Sequence, residues 1–179
     1  MRKLLTLLST LLCLTLLTAC GFQLRGNYPL PFDTLYIDLP ERSDLYASLK
    51  RNIEASSKTR VISERAEAQA MLSVVYDRTT QGILSLSGTG RVTEYQLVRA
   101  FAFRVIGKDG RDIIPQREIL VRRDLPYSDD TVLAKASETE LLVADMQNDL
   151  VQQIMRRLAA AKLKAEPNAA SASGNATAR

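Results

Sequence analysis

The sequence predicts an α+β domain: a two-layer sandwich with two helices packed on one face of a mostly antiparallel sheet of about four strands. Three observations predict it. In RVTEYQLVRAFAFRVIG, Tyr95, Leu97, Phe101, Phe103 and Val105 recur with period two, as one buried face of a strand requires, with Arg99 interrupting the row. The tetrads SGTG at 87–90 and GKDG at 107–110 are hairpin turns by composition. Elsewhere the apolar spacing turns helical, at Leu45, Leu49 and Ile53 and again at Val143, Met146, Leu150, Ile154 and Leu158.

TLYIDLP reads as a strand from Thr34 that Pro40 ends. Ser43 then caps an amphipathic helix. RVIS at 60–63 suits a short strand, and MLSVVYDRT from Met71 is a longer, β-branched one. ILSLSGTGRVTEYQL continues as two strands about a turn, with Gly88 and Gly90 available for positive φ. The strand from Asp112 to about Asp124 places Ile113, Ile119 and Val121 on one face, while Pro115 marks an edge position or a bulge. Ser128, Asp129 and Asp130 suit the positive end of a long final helix.

Residues 1–19 have the parts of an export signal: Arg2 and Lys3, the apolar run LLTLLSTLLCLTLL, then small residues. That run is too short and too interrupted by Thr and Ser for a spanning helix. Leu17, Thr18, Ala19 and Cys20 resemble the lipobox of bacterial lipoproteins, in which the cysteine thiol takes a diacylglyceryl group and becomes the acylated N-terminus after cleavage. Several acyl chains anchor a protein stably where one is marginal. Gly21 in place of aspartate implies, by the same resemblance, passage to the periplasmic side of the outer membrane. Residues 20–32, with Pro29 and Pro31, form an extended tether; 33–163 form the single domain; 164–179, small and polar, form a disordered tail.

Of the 179 residues none is histidine, and Cys13 and Cys20 are the only cysteines. A mature chain whose one cysteine is acylated has no thiol and no disulfide. Zinc sites and Cys/His or Ser/His/Asp catalysis are thereby excluded, and no cofactor or metal site is expected. The carboxylates Glu94, Glu138 and Glu140 do not face one another across a cleft, so an enzyme is not expected. Net charge falls from +4 to +2 when the signal is removed, so any cationic site is local, and nucleic acid is not an expected partner.

Arginines gather in the strand region, at 91, 99, 104, 117, 122 and 123. Singly they read as solvated outer positions; as a group they suit phosphate and carboxylate. Arg122 and Arg123 point to opposite faces, and Arg99 breaks an apolar row, so some of these cations need partners. Lys135 lies in the first turn of the last helix, where the helix dipole disfavours a cation.

Taken in order, the lipobox, CGFQLRG, the hairpin followed by TEYQL, GKDGRDI, and VLAKASETE before a long helix resemble the LPS-assembly lipoprotein family, LptE. The resemblance covers nearly all of the chain after the signal except the tail. It implies a non-enzymatic lipoprotein that plugs the large outer-membrane β-barrel LptD, helps that barrel assemble, and binds lipopolysaccharide during insertion into the outer leaflet. It also implies lipopolysaccharide contact by Lys135 and by a cation of the hairpin before the EYQ triplet. The family arginine comes earlier in that turn, where this chain has Gly88, and Arg91 is the cation present here. Arg122 and Arg123 complete the expected basic surface. The alternative is a lipoprotein that holds peptidoglycan or supports another envelope complex.

Overall fold

The computed structural model describes residues 29–127 and 132–161, and the side chains of all of these but 132–136. The export signal, Cys20 with most of the tether, the capping residues Ser128, Asp129 and Asp130, and the C-terminal tail therefore lie outside the described residues.

The elements run β1 (Thr34–Asp38), α1 (Asp44–Ser56), β2 (Arg60–Val61), a short 3-10 turn (Arg65–Glu67), β3 (Ala70–Leu86), β4 (Val92–Gly107), β5 (Asp112–Pro126) and α2 (Val132–Ala159). They build an α+β domain with an open sheet of five strands in the order β2-β1-β3-β4-β5. The short β1 pairs parallel with both β2 and β3, while the long β3–β4 and β4–β5 pairings are antiparallel. The sheet has five strands where about four were expected, and the two-residue β2, in the RVIS segment read as a short strand, completes a β1-α1-β2 crossover.

Local chemistry starts and stops these elements. Ser43 caps α1, its hydroxyl accepting from the Tyr46 N–H at 3.2 Å. The two hairpin turns are built alike. In each, the first residue's N–H donates across the hairpin, Ser87 to the Arg91 carbonyl and Gly107 to the Arg111 carbonyl, and a glycine takes positive φ, Gly90 at 80° and Gly110 at 79°. Gly88 does not need that freedom.

One core joins the sheet to both helices. Leu35, Ile37 and Leu72 meet Leu49 and Ile53 of α1; Phe101, Phe103, Ile119 and Val121 lie in the same cluster as Met146, Leu150, Ile154 and Leu158 of α2. Each such side chain, removed from water, contributes about 1.5–3 kcal/mol. No described helix lies over the opposite sheet face, and Tyr76 there shields the fully buried Ala102, its register partner, by reaching Glu118 at 2.7 Å.

Three expectations about the strands and the last helix need correction. β3 is one strand of 17 residues, not a strand, a break at Thr80–Gly82 and a second strand, because β4 supplies pairing partners throughout. In β5 the buried isoleucine near the start is Ile114, not Ile113. The register passes from Phe103↔Arg117 to Val105↔Ile114, so an extra residue at Pro115–Gln116 reverses which side faces the core. Pro115 thus lies both at the sheet edge and at a bulge. In α2, the first fully buried side chain among the described ones is Met146; Leu142 is partly buried against the core, and Val143 is 42% exposed.

Candidate functional site

β1 ends at Asp38, and its last register partner on β3 is Ser73. Beyond that point β3, β4 and β5 continue as a three-stranded arm open at both edges. Near its root the core-facing rows turn polar. Arg99 donates Nε–H to Asp77 Oδ1 at 2.9 Å and Nη2–H to Asp77 Oδ2 at 2.6 Å, and its side chain is only 11% exposed. Arg123, opposite Leu97 in register, reaches across the layer to α2, donating Nε–H to Asp145 at 2.8 Å and Nη2–H to Asp149 at 3.4 Å. The hydrogen bond to Asp145, followed by burial that opposes it, accounts for an Arg123 guanidinium held above its ordinary range. Asp145 and Asp149 are i, i+4 on α2 and so lie on one face. Arg99 and Arg123 have the partners that the sequence demanded of them.

Farther out, the arm exposes apolar side chains: Ile83 at 60% and Leu86 at 57%, with Leu84 beside them and Leu141 of α2 at 72%. Tyr95 and Tyr127 pack edge to face with centroids 5.2 Å apart, and the Tyr127 N–H donates to the Thr93 carbonyl at 2.8 Å. That contact ties the chain leaving β5 to the end of the arm. Only residues 128–131 separate Tyr127 from α2, a reach of at most about 18 Å. The turn carrying Arg91 and the first turn of α2, to which Lys135 belongs, are thus gathered at one end of the molecule.

Arg91 is exposed at the turn, its backbone bonded to Ser87. The Lys135 side chain lies outside the described residues. Arg122 is exposed on the helix-free face, where it pairs in register with Val98, and its carbonyl accepts from Arg123 Nη1 at 2.8 Å. Arg123 is on the opposite face. The four expected cations therefore do not form one cluster: two belong to the arm's end, one to the open face, and one to the junction with α2. Sequence reasoning missed Asp77, Asp145 and Asp149 as partners; the i, i+4 spacing of the last two was the available signal.

Comparison with known proteins fits this architecture. A sequence model of the LptE family, described as lipopolysaccharide-assembly, matches residues 32–158, the whole helix-and-sheet domain but for its last residues. The chain belongs to the LptE family. Its LptE relatives include the LPS-assembly lipoprotein of Yersinia enterocolitica, 32% identical over 164 residues that make up 88% of this chain and 77% of the relative. The LptE of Pectobacterium atrosepticum is 30% identical, over 80% of this chain and 79% of that one. Among solved structures, lipoprotein B of Nitrosomonas europaea superposes with a TM-score of 0.67 at 39% identity, covering 78% of this chain and 91% of that one. The rare lipoprotein B of Shewanella oneidensis gives 0.61 at 26% identity, covering 71% and 94%. These LptE relatives are described as assembly lipoproteins and not as enzymes. No described helix is long and apolar enough to cross a membrane.

Proposed function

We propose that this LptE-family chain is anchored by acylated Cys20 on the periplasmic side of the outer membrane. It plugs the lipopolysaccharide-transport β-barrel LptD, assists that barrel's assembly, and binds lipopolysaccharide as it passes to the outer leaflet. It performs no catalysis. The observation that carries the reading is the family match over residues 32–158.

The surface chemistry supports it. A barrel lumen is polar, and the helix-free face presents hydrogen-bonded polar pairs, Gln96 with Asp124 at 2.9 Å and Tyr76 with Glu118 at 2.7 Å. Lipid A and the inner core carry phosphates and carboxylates, which Lys135 and Arg91 at the arm's end, with Arg122 along the open face, are suited to meet. Arg123 contributes by holding α2 against the arm through Asp145 and Asp149.

The test is retention of lipopolysaccharide by the purified lipidated protein at moderate salt. Arg91→Glu with Lys135→Glu is expected to weaken retention by about tenfold or more, the equivalent of about 1.4 kcal/mol, while the circular dichroism spectrum is unchanged. Unchanged retention in the double variant would remove both residues from the lipopolysaccharide site. Copurification with peptidoglycan and no barrel would favour the alternative envelope role.

A further inference from the structure

At the end of the domain opposite the arm, a surface cavity of about 480 Å³ opens between the β5 bulge and the last turn of α2. Ile113, Ile114 and Pro115 form its apolar side, Ala161 closes the helix side, and two guanidinium groups, Arg117 and Arg157, line the rest. Among the described residues no carboxylate lines it.

The acid that follows Arg117 along β5 is turned away. Glu118 gives its carboxylate to the Tyr76 hydroxyl on the helix-free face, leaving only its backbone carbonyl to accept from Arg157 Nη1 at 2.8 Å. The Arg117 guanidinium has no hydrogen bond or ion pair with any described residue. Arg157 is half-buried. Burial first, and the like charge of Arg117 second, push its guanidinium below the ordinary arginine range. The carbonyl end of α2 offsets part of this repulsion. An anion placed between the two forks would offset the rest and accept from their remaining N–H groups.

We propose that Arg117 and Arg157 form a phosphate-binding site, distinct from the lipopolysaccharide contacts at the arm's end, that takes one phosphate group with an apolar part lying against Ile113 and Pro115. Two guanidinium forks match a tetrahedral oxyanion better than any single carboxylate. The phosphate is carried by a phospholipid headgroup or is free in solution. Geometry favours the headgroup. The chain enters β1 at this same end, where Asp33 and Lys108 are joined through Gln69 at 2.8 and 3.0 Å. If Cys20 is acylated, as proposed above, residues 20–32 span at most about 47 Å, which bounds the distance from the domain to the leaflet that holds the anchor.

The experiment is native mass spectrometry of the full lipidated protein released from neutral-detergent micelles doped with phosphatidylglycerol. Intact mass reports acylation of Cys20 separately, so failure of the anchor reading is not confused with failure of the site. Arg117→Gln with Arg157→Gln is expected to lower the fraction carrying one phosphatidylglycerol at least fivefold. Arg42→Gln with Lys50→Gln, which removes the same charge elsewhere, should leave it unchanged, and thermal unfolding of both variants checks the fold. Arg117→Lys with Arg157→Lys retains charge without the forks and is expected to fall between. Millimolar inorganic phosphate that displaces the lipid fully would identify the headgroup phosphate as the recognised group; binding of inorganic phosphate with no retained lipid would assign the site to free phosphate. Equal retention in the Arg117/Arg157 double glutamine variant and the wild type, with no phosphate competition, would overturn the site.

Discussion

The two ends of the sheet are made by the same three long strands and are held in different ways. Near the root, β1 and β2 widen the sheet and both helices cover it, so Leu35, Leu49, Leu72, Ile53, Phe101 and Ile154 are sealed from water. In the arm, β3 loses its outer neighbour, and Ile83, Leu84 and Leu86 are left in solvent. The difference teaches where stability resides and where a partner is met. The root carries the fold, and the arm, held by strand pairing and by two sets of ion pairs, presents apolar side chains that no described residue covers. Scattered exposed apolar residues need no explanation, but several on one arm mark an interaction surface.

The sharpest way to break this division is to remove root packing. Phe101→Ala, at a side chain with no exposed surface that lies 5.8 Å centroid to centroid from Phe103, should cost about 3–5 kcal/mol in urea unfolding. A cost below about 1 kcal/mol would mean the root is not the stabilising half.

Next in size is the polar layer at the junction. Arg99→Ala strips a two-pronged hydrogen-bonded partner from Asp77 in a site where the arginine is 11% exposed, and is expected to cost about 1–3 kcal/mol. Arg99→Ala with Asp77→Ala should recover part of that loss, since no lone charge remains. Failure of the double variant to recover stability would show that the pair is solvated and contributes little.

The smallest effect on stability belongs to the arm itself. Ile83→Ser with Leu86→Ser should shift unfolding by no more than about 0.5 kcal/mol each, because both are more than half exposed already. Recovery of the proposed barrel partner should nonetheless fall several-fold. A large stability loss with normal partner recovery would reverse the assignment of the two ends.

Much of the root was legible beforehand, because burial there follows simple periods. Phe101, Phe103 and Val105 alternate along β4, and Met146, Leu150, Ile154 and Leu158 keep helical spacing. Ile114 escaped because a bulge changes the parity of a strand, and Pro115 signals the bulge without saying which side gains the residue. The unbroken β3 escaped for a related reason: Gly82, with the polar Gln81 before it, reads as a break, and long-range pairing of Thr80, Gln81 and Gly82 with Val98, Leu97 and Gln96 overrides it. Of the expected site cations, Arg91, Arg122 and Lys135 follow from turn, strand and helix positions. That Arg123 is committed to Asp145 and Asp149 depends on how α2 docks, which no local pattern records.

The most direct test is photo-crosslinking in the native envelope, with a photoreactive amino acid placed in turn at Ile83, Leu86 and Leu120 and, as a root-side reference, at exposed Lys58. Crosslinks from the arm and open-face positions to a large outer-membrane β-barrel, with few from Lys58, are the expected result. Crosslinks to the barrel from Lys58 alone, or none from the other three, would contradict the account.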